Sequence, residues 1–356
     1  MQIDMNKKNI FFLLLSLFLL FSCGEFRQYR DVRTFSQSDI KESIHLTGEI
    51  IDLDEVFMPR RLFLVDSLIF TISSRQAHFV SVFHIRDMSR IGDFIGFGGG
   101  PNELMSVSYL QFRDSFVWAF DGRSSQINKY HLGQFLQAGE VIPLEIINLE
   151  DPFERALITS NRIITNSIHH LHSRFVMHDL QGNFIKTKGE LPNSGTQMTD
   201  LETFMSYSTS SNMVLNPKDE SIFIAYMSAD LIEIYDSNGN LRTRVHGPDQ
   251  FFTIRREVRD GGMATVRSIV GQTRDAYFNP VAFADEVWVL YNGRAFDPSE
   301  PYHFLCNRII VFDWDGNPIR EYITDVGIFS FAVDRENRVI YGLTISPDFT
   351  FVIFHF

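Results

Sequence analysis

Cysteine is scarce in this 356-residue chain, which contains only Cys23 and Cys306. Two cysteines permit at most one disulfide, so no disulfide framework can hold the fold together. Cys306 lies in an apolar run, where a buried thiol behaves as a small hydrophobic side chain. A chain of this length can bury a core of its own without such crosslinks.

Positive charge is also in short supply. The 32 Lys and Arg residues oppose 44 Asp and Glu residues, which gives a net charge of −12. Nucleic-acid binding needs clustered Lys and Arg that neutralise phosphates. The composition therefore argues against a nucleic-acid partner.

Familiar catalytic and metal-binding signatures are missing too. The chain has no Ser-His-Asp order, no paired-carboxylate motif and no His-Glu-x-x-His. The glycine-rich residues 96–104 lack the Lys and Ser/Thr of a P-loop, and strands flank them on both sides, so they predict a turn between repeats. In the sequence His169-His170-Leu171-His172, interpreted as a strand, only His170 and His172 share a face, which is too few ligands for zinc.

The N-terminal apolar run is too short to cross a membrane. It extends over 12 residues from Ile10 to Phe21, about 18 Å as a helix, whereas the hydrocarbon core is ~30 Å thick. Two lysines precede it and Ser22-Cys23 follow, which is the order of a secretory signal. Residues 20–23 resemble the lipobox of bacterial lipoproteins. That resemblance implies that the Cys23 thiol is diacylated and that Cys23 becomes the new N-terminus.

These features predict three regions. We expect a lipoprotein signal peptide over residues 1–22, a flexible lipid-anchored linker over residues 23–42 and one folded domain over residues 43–356. The expected location is the cell envelope, where the lipid would hold the protein on a bacterial membrane. The outer membrane is favoured, on its periplasmic or surface face.

A two-strand pattern occurs six times along the rest of the chain. Each copy has an apolar strand, a short polar turn with acidic or amide side chains, and a second strand rich in β-branched and aromatic residues. The turns fall at residues 66, 114, 160, 219, 285 and 336. Their spacing of 46 to 66 residues is that of repeated structural units with insertions.

A second turn signal marks three of the copies. The motif Asp-x-x-Gly-Asn occurs at residues 179–183, 236–240 and 313–317. Because glycine allows a positive φ, each motif predicts a hairpin between a third and a fourth strand. Six units of four antiparallel strands describe an all-β, six-bladed β-propeller. The last unit lacks a fourth strand, so we expect the strand-like residues 43–51 to pair with it and close the ring.

The six units, the Asp-x-x-Gly-Asn hairpins and the glycine-rich residues 96–104 resemble the bacterial TolB-like and NHL-like six-bladed propeller lipoproteins. The linking run of NHL repeats ends Gly-Pro-Gly-Glu-Phe, and Asn102 and Leu104 depart from it here. The resemblance covers residues 43–356. It implies a fold and a cell-envelope location, and it transfers no active site.

The sequence thus predicts a lipid-anchored, non-catalytic binding or scaffold module. Its candidate partner surface is the insertion at residues 250–277, which contains five arginines and three acidic residues. This segment could contact an acidic protein or a glycan, or it could be a helical or hairpin decoration with solvated charges. Its arginines are Arg255, Arg256, Arg259, Arg267 and Arg274.

The competing hypothesis is a calcium-dependent hydrolase. Six-bladed lactonase-like enzymes hold calcium in the central channel with Asn, Asp and Glu at the ends of inner strands. The corresponding candidates here are Asn166, Asn216, Asn292 and Asp334. Asn and Asp are also ordinary turn residues, so no cofactor is predicted apart from the calcium of this alternative. Trp118 and Trp288 occupy matching second-strand positions and are predicted to be core residues.

Overall fold

The computed structural model describes residues 28–51, 58–73, 77–345 and 348–356. Cys23 and the signal segment lie outside the described residues. Within these ranges the chain forms six antiparallel sheets, the blades of a six-bladed β-propeller, so the predicted fold is confirmed. In each blade the chain starts at the central channel and moves outward strand by strand.

The first three blades follow one another without long insertions. Their strands, from the channel outward, are as follows. Blade 1 contains Pro59–Val65, Leu68–Ser73, His78–His84 and Arg90–Phe97, with Glu103–Leu104 parallel to the last strand. Blade 2 contains Tyr109–Arg113, Phe116–Asp121, Gln126–His131 and Glu145–Asn148. Blade 3 contains Ala156–Ile158, Ile163–Thr165, Ser173–His178 and Phe184–Glu190.

The last three blades carry the additional strands of the N-terminal segment. Blade 4 contains Ser211–Leu215, Ile222–Tyr226, Leu231–Tyr235 and Leu241–His246. Blade 5 contains Tyr277–Ala282, Glu286–Tyr291, Cys306–Asp313 and Pro318–Ile328. Blade 6 contains Ser330–Asp334, Val339–Ile345 and Phe349–His355, and its fourth strand is Gly48–Ile51.

Helical structure is confined to connections. An α-helix, Asp200–Phe204, continues as a π-helical turn over Met205–Thr209 between blades 3 and 4. Three 3₁₀ turns occur at Gln37–Asp39, Leu132–Phe135 and Ile168–His170. None of the helices in these described ranges has the length and apolar character needed to span a membrane.

The predicted turns have the expected positions. All six first turns connect an inner strand to the second strand of its blade. The Asp-x-x-Gly-Asn motifs join third and fourth strands in blades 3, 4 and 5. In each motif the Asp side chain accepts backbone hydrogen bonds across the turn and one from the Asn amide, and the glycine has a φ of +75° to +91°. The shared turn chemistry thus sets the register of three blades.

The residues 28–51, here named the N-terminal belt, run along the outer edge of three blades. Arg33–Thr34 pairs in parallel with blade 4, Ser43–Leu46 pairs in parallel with blade 5, and Gly48–Ile51 closes blade 6. Tyr29 and Phe35 are buried against the ring. The predicted ring closure is present, whereas the described part of the predicted flexible linker, residues 28–42, is packed against blades 4 and 5.

The core lies between adjacent blades, where their faces stack. Second strands such as Ile222–Tyr226 are buried along their whole length, because both of their faces pack against neighbouring blades. Trp118 and Trp288 are core residues, as predicted, and Trp288 stacks on Tyr322 with ring centroids 4.8 Å apart. Residues 96–104 lie at the end of blade 1, where the predicted turn spans 98–102 between Phe97 and Glu103, and the chain then continues to blade 2.

Candidate functional site: the central channel

The inner strands of all six blades line a central cavity of about 480 Å³. These strands run in the same direction along the channel, so their first residues meet at one end and their last residues at the other. We name the first the arginine end, after Arg61 and Arg155. The second is the turn end, where each inner strand enters its hairpin.

Arg61 ties several blades together at the arginine end. Its Nε donates to Oδ1 of Asn279 in blade 5 at 2.7 Å, and its Nη2 donates to Oδ1 of Asn212 in blade 4 at 3.0 Å. The guanidinium lies 4.7 Å from the centroid of the Tyr109 ring in blade 2. Asn279 also donates from Nδ2 to Oγ of Ser330 in blade 6, at 2.6 Å. Residues from five blades therefore meet around one guanidinium.

Arg155 brings a second cation to the same end from the start of blade 3. Its Nε donates to the Ser211 carbonyl at 3.0 Å, and its Nη1 donates to the carbonyl of Glu154 at 2.8 Å. Within the described ranges, neither Arg155 nor Arg61 forms an ion pair with a carboxylate. The Glu154 carboxylate attracts Arg155 without pairing with it, so the arginine end keeps a net positive charge.

Burial and mutual repulsion act on these cations. The pKa of Arg61 is lowered to about 10, chiefly by burial and also by the charges of Arg155 and Arg60, while Tyr109 opposes the shift. Burial also lowers the pKa of Arg155. Arg61 remains cationic at neutral pH, because a pKa near 10 still leaves the guanidinium protonated.

Tyr109 adds a hydroxyl to this cationic end. Burial raises its pKa, and the charges of Arg61 and Arg155 oppose that rise. Its hydroxyl has no hydrogen-bond partner among the residues that the structure describes, so it is available to a ligand. The arrangement can donate charge-assisted hydrogen bonds from two guanidinium groups and one bond from a phenol.

The turn end is electrostatically balanced by comparison. Arg113 Nη1 contacts Oε1 of Glu220 at 2.7 Å. The same carboxylate accepts hydrogen bonds from the backbone and the hydroxyl of Ser160. Burial alone would raise the pKa of Glu220, but the bonds from Ser160 and Arg113 outweigh it and lower the pKa. This end therefore needs no external ion.

The four candidate calcium ligands do not converge. Asn216 and Asp334 follow inner strands and lie toward the turn end of the channel. Asn166 and Asn292 follow second strands, which run in the opposite direction, so they lie toward the other face of the ring. The channel therefore does not collect them into one coordination sphere.

Each of these four side chains instead holds a local connection. The Asn166 carbonyl oxygen accepts from the Arg155 backbone, and the Asn216 oxygen accepts from the Lys218 backbone. The amide of Asn292 donates to loop carbonyls, and the carboxylate of Asp334 accepts from its turn. Across the described ranges, no three His, Cys, Asp or Glu side chains are grouped as metal ligands.

The histidine-rich segment differs from its predicted strand. Ser167 caps a 3₁₀ turn by accepting from the His169 backbone, so Ile168–His170 is helical. His169 Nδ1 and His170 Nε2 contact the two carboxylate oxygens of Asp151 at 2.5 and 3.0 Å. Ser-capped turns form from local hydrogen bonds that strand periodicity does not detect.

The arginine-rich insertion contains a two-stranded hairpin, Arg255–Asp260 paired with Met263–Ser268, which we name the arginine hairpin. The five predicted arginines have different environments. Arg255 donates to the Met205 carbonyl, and Arg274 contacts Asp249 and lies over the Phe251 ring. Arg259 pairs with Glu257 at 2.8 Å. Arg256 and Arg267 are exposed and, among the described residues, have no hydrogen-bond or ion-pair partner.

Sequence reasoning missed the arginine end, although a signal was present. Arg61, Tyr109 and Arg155 each stand five residues before the turn of their copy, at residues 66, 114 and 160. Equivalent positions in a propeller meet around the channel, so these three side chains had to be neighbours. The calcium hypothesis concerns acidic and amide side chains, whereas this site is formed by cationic ones.

The sequence matches the family described as TolB-like six-bladed propeller over residues 34–336. A crystal structure of a DUF4221 family member from Bacteroides vulgatus aligns with a TM-score of 0.51 and 12% identity, covering 93% of this chain and 99% of that one. A Bacteroides fragilis protein described as exported aligns with a TM-score of 0.52 and 10% identity, covering 90% and 99%. These similarities concern the fold. No curated protein matches this chain.

Proposed function

This chain belongs to the TolB-like six-bladed propeller family, and we propose that it is a lipid-anchored binding module of the cell envelope. It has no catalytic role in this proposal. It takes a small anionic ligand, a carboxylate or a phosphate, at the arginine end of the channel. The signal pattern before Cys23 supports export, and one structural neighbour is described as exported.

The observation that carries the proposal is the pair Arg61 and Arg155 without a carboxylate partner. A half-buried guanidinium without an ion-pair partner is unfavourable, because its partial desolvation is not offset by an ion pair. An anionic ligand would accept charge-assisted hydrogen bonds from both groups and remove their mutual repulsion. The cavity of about 480 Å³, which Arg61 and Tyr109 line at this end, has the size of a small-molecule site.

A calcium-dependent hydrolase is the weaker candidate. The net positive charge of the arginine end repels a divalent cation. The candidate ligands Asn166, Asn216, Asn292 and Asp334 each serve a separate turn or loop. Calcium also prefers six to eight oxygen ligands, which this arrangement does not offer at one point.

The test is anion-dependent stabilisation of the purified mature protein. D-galacturonate and inorganic phosphate, titrated separately at constant ionic strength, distinguish a carboxylate ligand from a phosphate ligand. We expect one of them to raise the melting temperature, since a ligand that binds only the folded state stabilises it. Arg61→Gln and Arg155→Gln should each abolish that rise.

The control is Arg113→Gln, which removes an arginine from the opposite end of the same channel. This variant should keep the full anion-dependent rise. An equal loss in Arg113→Gln, or no rise with either anion in the wild type, would contradict the proposed site. Stabilisation by Ca²⁺ together with hydrolysis of a lactone would favour the enzyme instead.

A further inference from the structure

The arginine hairpin has two chemically different faces, because side chains alternate along each strand. One face packs on the propeller. There, Arg255 donates to the Met205 carbonyl at 3.1 Å, and Glu257 accepts from the Thr199 hydroxyl at 3.0 Å. Val266 on this face is buried, with 5% of its surface exposed. The charges on this side are satisfied within the protein.

The outward face carries unsatisfied positive charge. Arg256 lies directly opposite Arg267 in the strand register, and both side chains are exposed. Like charges in directly opposed positions destabilise a strand pair. Among the described residues neither guanidinium has an ion-pair partner, and the carboxylate on this face, Asp260, lies two residue pairs away at the turn. A partner with negative charge would therefore stabilise this face.

The tip of the hairpin adds an exposed apolar side chain. A Gly261-Gly262 turn joins the two strands, and both glycines have positive φ. Met263 follows the turn and is 76% exposed. On its face of the hairpin Met263 lies opposite Asp260, and the pair Val258 and Thr265 separates it from the pair Arg256 and Arg267. The exposed methionine is an apolar group that can enter the acyl boundary, and the two arginines are cations that can neutralise headgroups.

The hairpin also begins close to Tyr29, near the start of the described chain and six residues after Cys23. The Tyr29 ring lies 5.1 Å from the ring of Phe252, three residues before the hairpin. Cys23 precedes Gln28 by five residues, which span at most about 18 Å even when fully extended. Each six-residue hairpin strand is about 20 Å long. A lipid on Cys23 would therefore place the hairpin within reach of the same bilayer.

We propose that the arginine hairpin is a second membrane contact, which rests on anionic lipid headgroups beside the lipid anchor. The whole protein has a net charge of −12, so an anionic bilayer repels most of its surface and attracts this face. The contact fixes which side of the propeller faces the membrane. It does not involve the channel ligand and shares only the anchor with the proposed function.

The test uses the mature chain with Cys23→Ala, so that no lipid contributes. Cys23 lies outside the described residues, so the change alters none of the residues that the structure describes. Co-sedimentation compares vesicles of phosphatidylcholine containing phosphatidylglycerol with vesicles of phosphatidylcholine alone. We expect binding to the anionic vesicles only, and weaker binding as salt rises.

Variants locate the contact on the hairpin. Each arginine near an anionic surface contributes about a fivefold gain in binding, so Arg256→Gln with Arg267→Gln should weaken binding about 25-fold. Met263→Ser should weaken it without altering the salt dependence. The matched control is Arg86→Gln with Arg123→Gln, two exposed arginines of blades 1 and 2, which changes the net charge equally and should leave binding intact.

Three results would overturn the proposal. They are absence of binding to the anionic vesicles, equal binding to both kinds of vesicle, and an equal loss in the Arg86 and Arg123 control. Soluble alginate, an acidic glycan, is tested as an alternative ligand. Binding of alginate through Arg256 and Arg267 without vesicle binding would assign this face to a glycan and reject the membrane contact. Loss of anion binding in the channel would leave these outcomes unchanged.

Discussion

Arg61 and Asn279 join blades 1 and 5 across the channel, with the Arg61 Nε 2.7 Å from Oδ1 of Asn279. Asn279 has a φ of +54° and lies where the strand register shifts between Phe278 and Val281. A bulge of this kind redirects a side chain out of the regular alternation of the strand. Here it directs an amide toward the channel, where Arg61 contacts it.

Replacement of Asn279 tests this junction. Asn279→Ala loses the bonds to Arg61 and Ser330 and leaves a Cβ at positive φ, so we expect a loss of about 2 to 4 kcal/mol in unfolding free energy. Asn279→Gly loses the same bonds but relieves the backbone, and it should be about 1 kcal/mol more stable than the alanine variant. Urea denaturation measures both values. Equal stability of the two variants would show that backbone strain is not part of the cost.

The repeated Asp-x-x-Gly-Asn turn predicts a strong effect at Gly239. Its φ is +75°, and an added Cβ would lie 2.7 Å from Cε of Met177. We expect Gly239→Val to lower the unfolding free energy by about 2 to 4 kcal/mol, from backbone strain together with overpacking. Gly99→Val is the matched control, because a Cβ at Gly99 meets nothing within 4 Å. A melting temperature of Gly239→Val equal to that of the control would refute the turn assignment.

Asp230 should make stability depend on pH. Its Oδ2 accepts from the backbones of Asp249 and Gln250, yet burial raises the pKa of its carboxyl to about 7. The folded state therefore binds a proton more tightly than the unfolded state, whose Asp titrates near 4. The stabilisation is present below pH 4 and is lost as pH rises from 4 to 7, by up to about 1.4 kcal/mol per pH unit.

The measurement is unfolding free energy between pH 4 and 8, compared with Asp230→Asn. The amide mimics the protonated carboxyl, so the variant should lack this part of the pH dependence. Carboxylates with lowered pKa, such as Glu220, contribute an opposite slope to both proteins, and subtraction removes it. Parallel curves for the two proteins would show that Asp230 does not titrate in this range.

Phe35 distinguishes a packed belt from a flexible linker. It is 4% exposed, and its ring lies 5.6 Å from that of Phe312 in blade 5. Phe35→Ala should cost about 3 to 5 kcal/mol, as for other buried phenylalanines. Lys41→Ala, an exposed change in the same segment, should be nearly neutral. A neutral effect at Phe35 would return residues 28–42 to the linker hypothesis.

Cys23→Ala tests the lipid anchor in cells. The variant should move from the membrane fraction to the soluble fraction after a high-salt wash, since salt screens the remaining contact of the arginine hairpin. Its melting temperature should equal that of the wild type, because Cys23 precedes every described residue. If the variant still required detergent for extraction, Cys23 would not be the attachment site.

Local signals explain what the sequence could predict. The number of blades, the Asp-x-x-Gly-Asn hairpins and the closing strand follow from strand periodicity and turn chemistry, which act over a few residues. The path of the N-terminal belt could not be predicted in this way. Arg33–Thr34 is a two-residue strand, and its partners Val245 and His246 are more than 200 residues away.

In the candidate site, too, local sequence patterns could predict some features and not others. Asn216 and Asp334 have side-chain oxygens that could bind calcium, but so do the turn residues of any propeller. Only the hydrogen bonds that they form distinguish a turn residue from a metal ligand. Arg61 and Asn279 are separated by 218 residues. Their proximity depends on the ring being closed and on a bulge that no local pattern in the sequence reports.

Closure of the ring by the N-terminal belt also sets an order of events during folding. Ile50 pairs with Val352, so a segment near the start of the mature chain must wait for one of its last strands. Contacts this distant in sequence form slowly, and their unpaired edges attract other chains meanwhile. We therefore expect the emerging polypeptide to need protection by chaperones until Phe349–His355 is available for pairing.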